Sequence, residues 1–126
     1  MNTLPTLILI EPVPHYLAEQ SDPDNNRYVF AYTITLRNQG ERPARLIARH
    51  WVITHADGRV EEVRGEGVVG ETPRLTPGMN YSYTSGTVFN APVGAMEGSY
   101  TFVTDEGQRF VVPIPRFTLS IPRVLH

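Results

Sequence analysis

Tyr28-Val29-Phe30-Ala31-Tyr32-Thr33-Ile34-Thr35-Leu36 alternates without a break. Tyr28, Phe30, Tyr32, Ile34 and Leu36 fall on one face, and Val29, Ala31, Thr33 and Thr35 on the other. A period of two in aromatic and β-branched residues is the mark of a half-buried strand. Turn formers bracket it: Gln20-Ser21-Asp22-Pro23-Asp24-Asn25-Asn26 before, and Asn38-Gln39-Gly40-Glu41 after.

Similar segments recur outward from this one. Leu7-Ile8-Leu9-Ile10 predicts a first strand, halted by Pro12 and Pro14 and placed near a sheet edge by them. Residues 44–54 predict a strand that returns through Asp57-Gly58, a hairpin signature, into residues 60–64. Met79, Tyr81 and Tyr83 alternate with Asn80, Ser82 and Thr84. Residues 92–98 read as a corner before a strand opened by Tyr100 and Phe102, with Tyr100 placed to act as a tyrosine corner. Asp105-Glu106-Gly107-Gln108 turns into residues 110–112, and residues 114–121, crowded by prolines, read as an irregular last edge strand. No window carries a helical period with caps. Seven to nine short strands with turns every eight to twelve residues indicate an all-β protein, an antiparallel β-sandwich, with Trp51 as its core plug.

Composition narrows the chemistry. The 126 residues suit a single domain over 1–126, with 40% hydrophobic and 19% charged side chains. The net charge of −2 offers no broad basic surface, so nucleic acid is not an expected partner. The positive side chains are all Arg, which removes a P-loop or Schiff-base lysine, and the absence of Cys removes thiolate chemistry and disulfides. The start, Met1-Asn2-Thr3-Leu4-Pro5, has no basic region before an apolar run, and residues 7–10 are too short for a membrane span. A cytoplasmic location without membrane insertion is the expectation.

Three candidate sites stand out. Gly65, Gly67 and Gly70 form a GxGxxG pattern, but Pro73 follows closely and no helix is predicted after it, so the loop lacks the helix N-terminus of a dinucleotide site. Arg64 flanks it, while Glu66 and Glu71 bring negative charge. The glycines also fit a purely structural role, where the backbone bends or approaches closely. His50 and His55 lie an odd number of residues apart, hence on opposite faces of a strand. His55, Asp57, Glu61 and Glu62 are weak candidates for a loose Mg²⁺ or Co²⁺ site across the hairpin, which otherwise reads as a solvated tip. Arg45 and Arg49 are expected on one face with Ile47 and Trp51, a pattern of both partner-binding hot spots and ordinary Arg packing over a sheet. Ser85 lacks the preceding glycine of a nucleophile elbow, so no catalytic residue is assigned. His15 and His126 have no chemical neighbours in sequence.

Taken together, these segments resemble the ApaG-domain family. The resemblance is carried by residues 28–35, by Arg49-His50-Trp51-Val52-Ile53-Thr54, and by residues 65–73. It continues through residues 83–86, residues 96–100 and residues 110–119, and covers roughly residues 7–122. His55 and Thr72 depart from the family's pattern, which has Asp and Gln there. The resemblance implies an immunoglobulin-like or fibronectin type III-like β-sandwich in the stand-alone bacterial form. It also implies an association with cobalt resistance and magnesium/cobalt efflux, and a suggested nucleotide or pyrophosphate role for the glycine motif. The same domain is fused to F-box and polymerase-interacting proteins in eukaryotes, where it looks like a protein-interaction module.

The function expected is therefore a non-enzymatic binding module, with no cofactor, that meets an unidentified protein partner through a sheet face or edge. Arg49, His50, Arg64, Gly65, Gly67 and Gly70 are its candidate binding residues. The alternative is direct binding of a divalent cation or a nucleotide at the glycine-rich loop. Free edge strands also leave homodimerisation open.

Overall fold

The structure, a computed structural model, describes residues 7–122. His126 and the first residues of the chain lie outside that range. Eight strands run in order: β1 (Ile8–Tyr16), β2 (Tyr28–Asn38), β3 (Ala44–His55), β4 (Val60–Glu66), β5 (Arg74–Leu75), β6 (Asn80–Phe89), β7 (Val93–Thr104) and β8 (Arg109–Ser120). Two short 3-10 turns, Ala18–Gln20 and Pro23–Asn25, occupy the loop between β1 and β2. Every pairing is antiparallel. One sheet has the order β1-β2-β6; the facing sheet has the order β4-β3-β7-β8, with β5 pairing the start of β3. The fold is the all-β sandwich expected, of fibronectin type III-like layout.

The alternation of β2 buries Phe30, Tyr32, Ile34 and Leu36 between the sheets. Leu46, Trp51, Phe102, Ile114 and Leu119 meet them from the other side. Trp51 is the core plug: its ring lies 5.4 Å from Tyr32, 6.0 Å from Phe117 and 6.3 Å from Tyr100, with edges meeting faces.

Four local expectations are corrected. The first strand does not stop at Pro12 but runs to Tyr16, paired throughout with β2; on an edge strand a proline can turn its missing N–H away from the ladder. The corner assigned to residues 92–98 is already strand, because β7 starts at Val93 and absorbs a register shift between Met96 and Gly98. Residues 110–112 and 114–121 are not two strands; β8 is continuous through Pro113 and Pro115. Tyr100 is not a tyrosine corner, since its hydroxyl meets that of Tyr83 across the sandwich at 2.5 Å.

A further correction moves an arginine. β3 shifts register between Leu46 and Ala48, leaving Ile47 as a β-bulge. Ala44 and Leu46 point inward before it; Trp51, Ile53 and His55 point inward after it. Arg45 and Arg49 therefore lie on opposite faces. Arg45 stays outside, donating to the Thr72 carbonyl at 2.7 Å, while Arg49 turns in beside Trp51.

Candidate functional site

The sheets part on the side where β4 and β6 are the outer strands, and the glycine loop closes one end of the gap. The resulting cleft is about 510 Å³. Its floor is Trp51, Ile53 and Met96; β2 and β6 contribute Tyr32, Tyr83, Ser85 and Thr87; β4 contributes Glu61 and Val63; the loop contributes Val68, Val69 and Gly70. Arg49 stands in its wall.

Local backbone chemistry builds that wall. Val68 is fully buried and pins the loop to the core. The Gly67 N–H donates to the Ile47 carbonyl at 2.9 Å, extending the β3–β4 ladder past the Ala48–Glu66 pair. Gly67 has φ +57°, and a Cβ there would lie 2.1 Å from the Glu71 carbonyl oxygen, so only glycine fits. The Arg49 Nη1 donates to the carbonyls of Glu66, at 2.7 Å, and Gly67, at 3.0 Å. Its guanidinium lies so flat on Gly65 that a Cβ there would come within 2.6 Å of Nη2. Gly65 and Gly67 thus clamp an arginine, while Gly70, with φ +80°, completes the turn. Val68 and Glu71 satisfy each other's N–H and C=O at 2.8 and 2.9 Å. Three of the loop's N–H groups, those of Gly67, Val68 and Glu71, are consequently spent inside the protein, unlike the converging free donors of a phosphate loop.

Among the described residues no carboxylate lies within ion-pair distance of Arg49. The one carboxylate that lines the cleft among the described residues, Glu61, meets the buried His55 Nε2 at 3.1 Å instead. Burial raises the Tyr32 phenol above its ordinary value, opposed in part by Ser85 and by the Arg49 charge. Burial pushes Tyr83 and Tyr100 much higher still. All three hydroxyls stay protonated at neutral pH and serve as hydrogen-bonding groups, not as bases.

The other candidates separate. His50 lies on the outer face, with Nε2 2.8 Å from Glu62, and Arg64 reaches the same carboxylate at 3.5 Å. Neither lines the cleft. The quartet proposed for a cation splits three ways. Glu61 turns inward to His55. Glu62 turns outward to His50. The Asp57 carboxylate accepts the Arg59 N–H inside the hairpin turn at 2.9 Å. Among the described residues no three His, Asp or Glu side chains converge. Of the residues singled out in the sequence, Arg49 and Gly70 line the cleft and Gly65 and Gly67 lie behind Arg49; Tyr32, Tyr83 and Thr87, which come from the opposite sheet, were not singled out, and their inward alternation with polar ends was the available signal.

The comparisons agree with this architecture. No helix among the described residues is long and apolar enough to cross a membrane. The family model DUF525, the ApaG domain, matches residues 18–104. The protein ApaG of Aromatoleum aromaticum is 57% identical over 119 residues, covering 94% of both chains. That of Thiobacillus denitrificans is 60% identical over 111 residues, covering 88% of this chain and 87% of the relative. The crystal structure of an ApaA protein from Bordetella pertussis superposes with a TM-score of 0.92 at 48% identity, over 95% of this chain and 98% of that one. The chain belongs to the ApaG-domain family.

Proposed function

We propose that this protein is a non-enzymatic binding module whose partner group enters the cleft between β6 and the glycine loop. The observation that carries this is Arg49: a half-buried cation, oriented by two carbonyls, facing a cleft without a carboxylate partner of its own. A buried charge is costly unless paired, so a binding partner's anionic or strongly polar group gains most there. Any effect on magnesium or cobalt homeostasis, which the family resemblance implies, runs through what is bound and not through a resident ion. The dispersal of His55, Asp57, Glu61 and Glu62 over two faces and a turn supports that order.

Two-dimensional NMR titrations with acetate, ADP, Mg²⁺ and Co²⁺ in turn test the reading. Shifts at the Arg49 side chain and the amides of Val68, Val69 and Gly70 with acetate or ADP, lost in Arg49→Gln, are expected. Shifts confined to His55 and Glu61 with a metal ion would transfer the function to direct cation binding. No shift in the cleft at millimolar anion would remove the cleft as a binding site.

A further inference from the structure

The sandwich has four outer strands, and three are guarded. β1 carries Pro12 and Pro14; β8 carries Pro113 and Pro115; β4 carries Glu61, Glu62, Arg64 and Glu66. Prolines and charges are how edge strands avoid pairing with other chains. β6, Asn-Tyr-Ser-Tyr-Thr-Ser-Gly-Thr-Val-Phe from Asn80 to Phe89, has neither. It is ten residues long and, among the described residues, pairs only with β2.

Its ladder shows which groups are open. The Asn38 N–H donates to the Met79 carbonyl at 3.0 Å. Antiparallel alternation from that pair commits Tyr81, Tyr83, Ser85 and Thr87 to β2 and turns the N–H and C=O of Ser82, Thr84, Gly86 and Val88 to the free side. The hydroxyl contacts Thr35–Ser82 and Thr33–Thr84, both 2.8 Å, sit at the close pairs this phase requires.

Resting on the cleft reading above, we propose that the partner is an extended peptide segment that adds as a fourth strand to β6 and delivers a carboxylate side chain to Arg49. An added strand would lie across the mouth of the cleft, about 4.8 Å from β6. Its side chains alternate, so every second one enters the cleft. One inward position meets the Arg49 guanidinium. The next, two residues away, meets the apolar floor of Trp51, Ile53 and Met96. The recognised pattern is an acidic and an apolar residue separated by one. Glu61 also lines the cleft, but its carboxylate is engaged by His55. A second copy of this chain is the weaker occupant, because β6 contains no Asp or Glu to present to Arg49.

The probe is a short blocked peptide of alternating threonine and valine with one central aspartate, titrated into the labelled full chain. Shifts at the amides of Ser82, Thr84, Gly86 and Val88 together with the Arg49 side chain are expected. Asparagine in place of the aspartate should weaken binding about tenfold, as should Arg49→Gln for the aspartate peptide. Thr84→Pro removes an outward N–H that β2 does not use and should weaken every peptide. If that variant fails to fold, N-methylation of alternate peptide amides tests the same ladder and leaves the protein untouched. Shifts at Arg49 and the loop without the β6 amides would overturn strand addition and leave the cleft reading intact; silence at both would overturn both. Concentration-dependent protection of the β6 amides without peptide would replace the acidic peptide with self-pairing.

Discussion

Val69 holds a φ of +43°, a left-handed backbone that a β-branched side chain adopts only under constraint. Its neighbour Val68 is anchored in the core and Gly70 completes the turn, so the loop imposes the conformation. Strain of this kind costs on the order of 1–3 kcal/mol and collects at binding sites. Val69 is exposed and lines the cleft, which fits that pattern. Replacing it with glycine relieves the backbone but enlarges the freedom of the unfolded chain, for a net gain of about 1 kcal/mol. Thermal unfolding of Val69→Gly should show a melting temperature a few degrees higher. A lower one would mean that the side chain's contacts outweigh the strain. Residue types alone revealed that the glycines matter. They did not reveal that two of them exist to accommodate Arg49 and the Glu71 carbonyl, because those contacts are made by chain leaving and re-joining β3.

The strands show where periodicity suffices and where it fails. β2 was legible from Tyr28 to Leu36, because nothing interrupts its alternation there, but it runs on to the buried Asn38, a turn former by type. β3 was not: one inserted residue at Ile47 reverses the parity of everything after it, and the pattern on either side looks acceptable in both phases. β1 and β8 ran longer than their prolines suggested, since an edge requires hydrogen bonds on one side only. Tyr100 was recognised as special, but its partner could be found only once β6 and β7 faced each other. That pair makes a sharp test. Removing one hydroxyl by Tyr83→Phe or Tyr100→Phe strands the other in the core and should cost about 1–3 kcal/mol. The double substitution should cost clearly less than the sum of the singles in denaturant unfolding. Additivity would show that the two hydroxyls act independently.

For the whole molecule the same two phenols set the alkaline limit. Burial raises both well above the ordinary 10.0 of the unfolded chain. The folded protein then keeps protons that the unfolded chain has lost, so stability is full below pH 10.0 and declines as pH rises beyond it. Unfolding followed across that range should steepen above pH 10 and flatten when both tyrosines are phenylalanine. An unchanged alkaline slope would assign the limit to other groups, with Tyr32 and Tyr81, also raised by burial, next in line.

The bulge at Ile47 carries a consequence for how this architecture can diverge. Without that residue, Ala44, Leu46, Arg49, Trp51, Ile53 and His55 would fall into one unbroken alternation, and the barrier between the two halves of β3 would vanish. Such a shortened chain keeps its complete set of inward side chains but loses the Ile47 carbonyl that holds the Gly67 N–H. The parity of the sheet and one anchor of the glycine loop therefore depend on a single codon. A lineage could re-seat the loop by that one residue while Val68 stays in the core, and a designer could use the same position to shift the Arg49 wall against the sandwich.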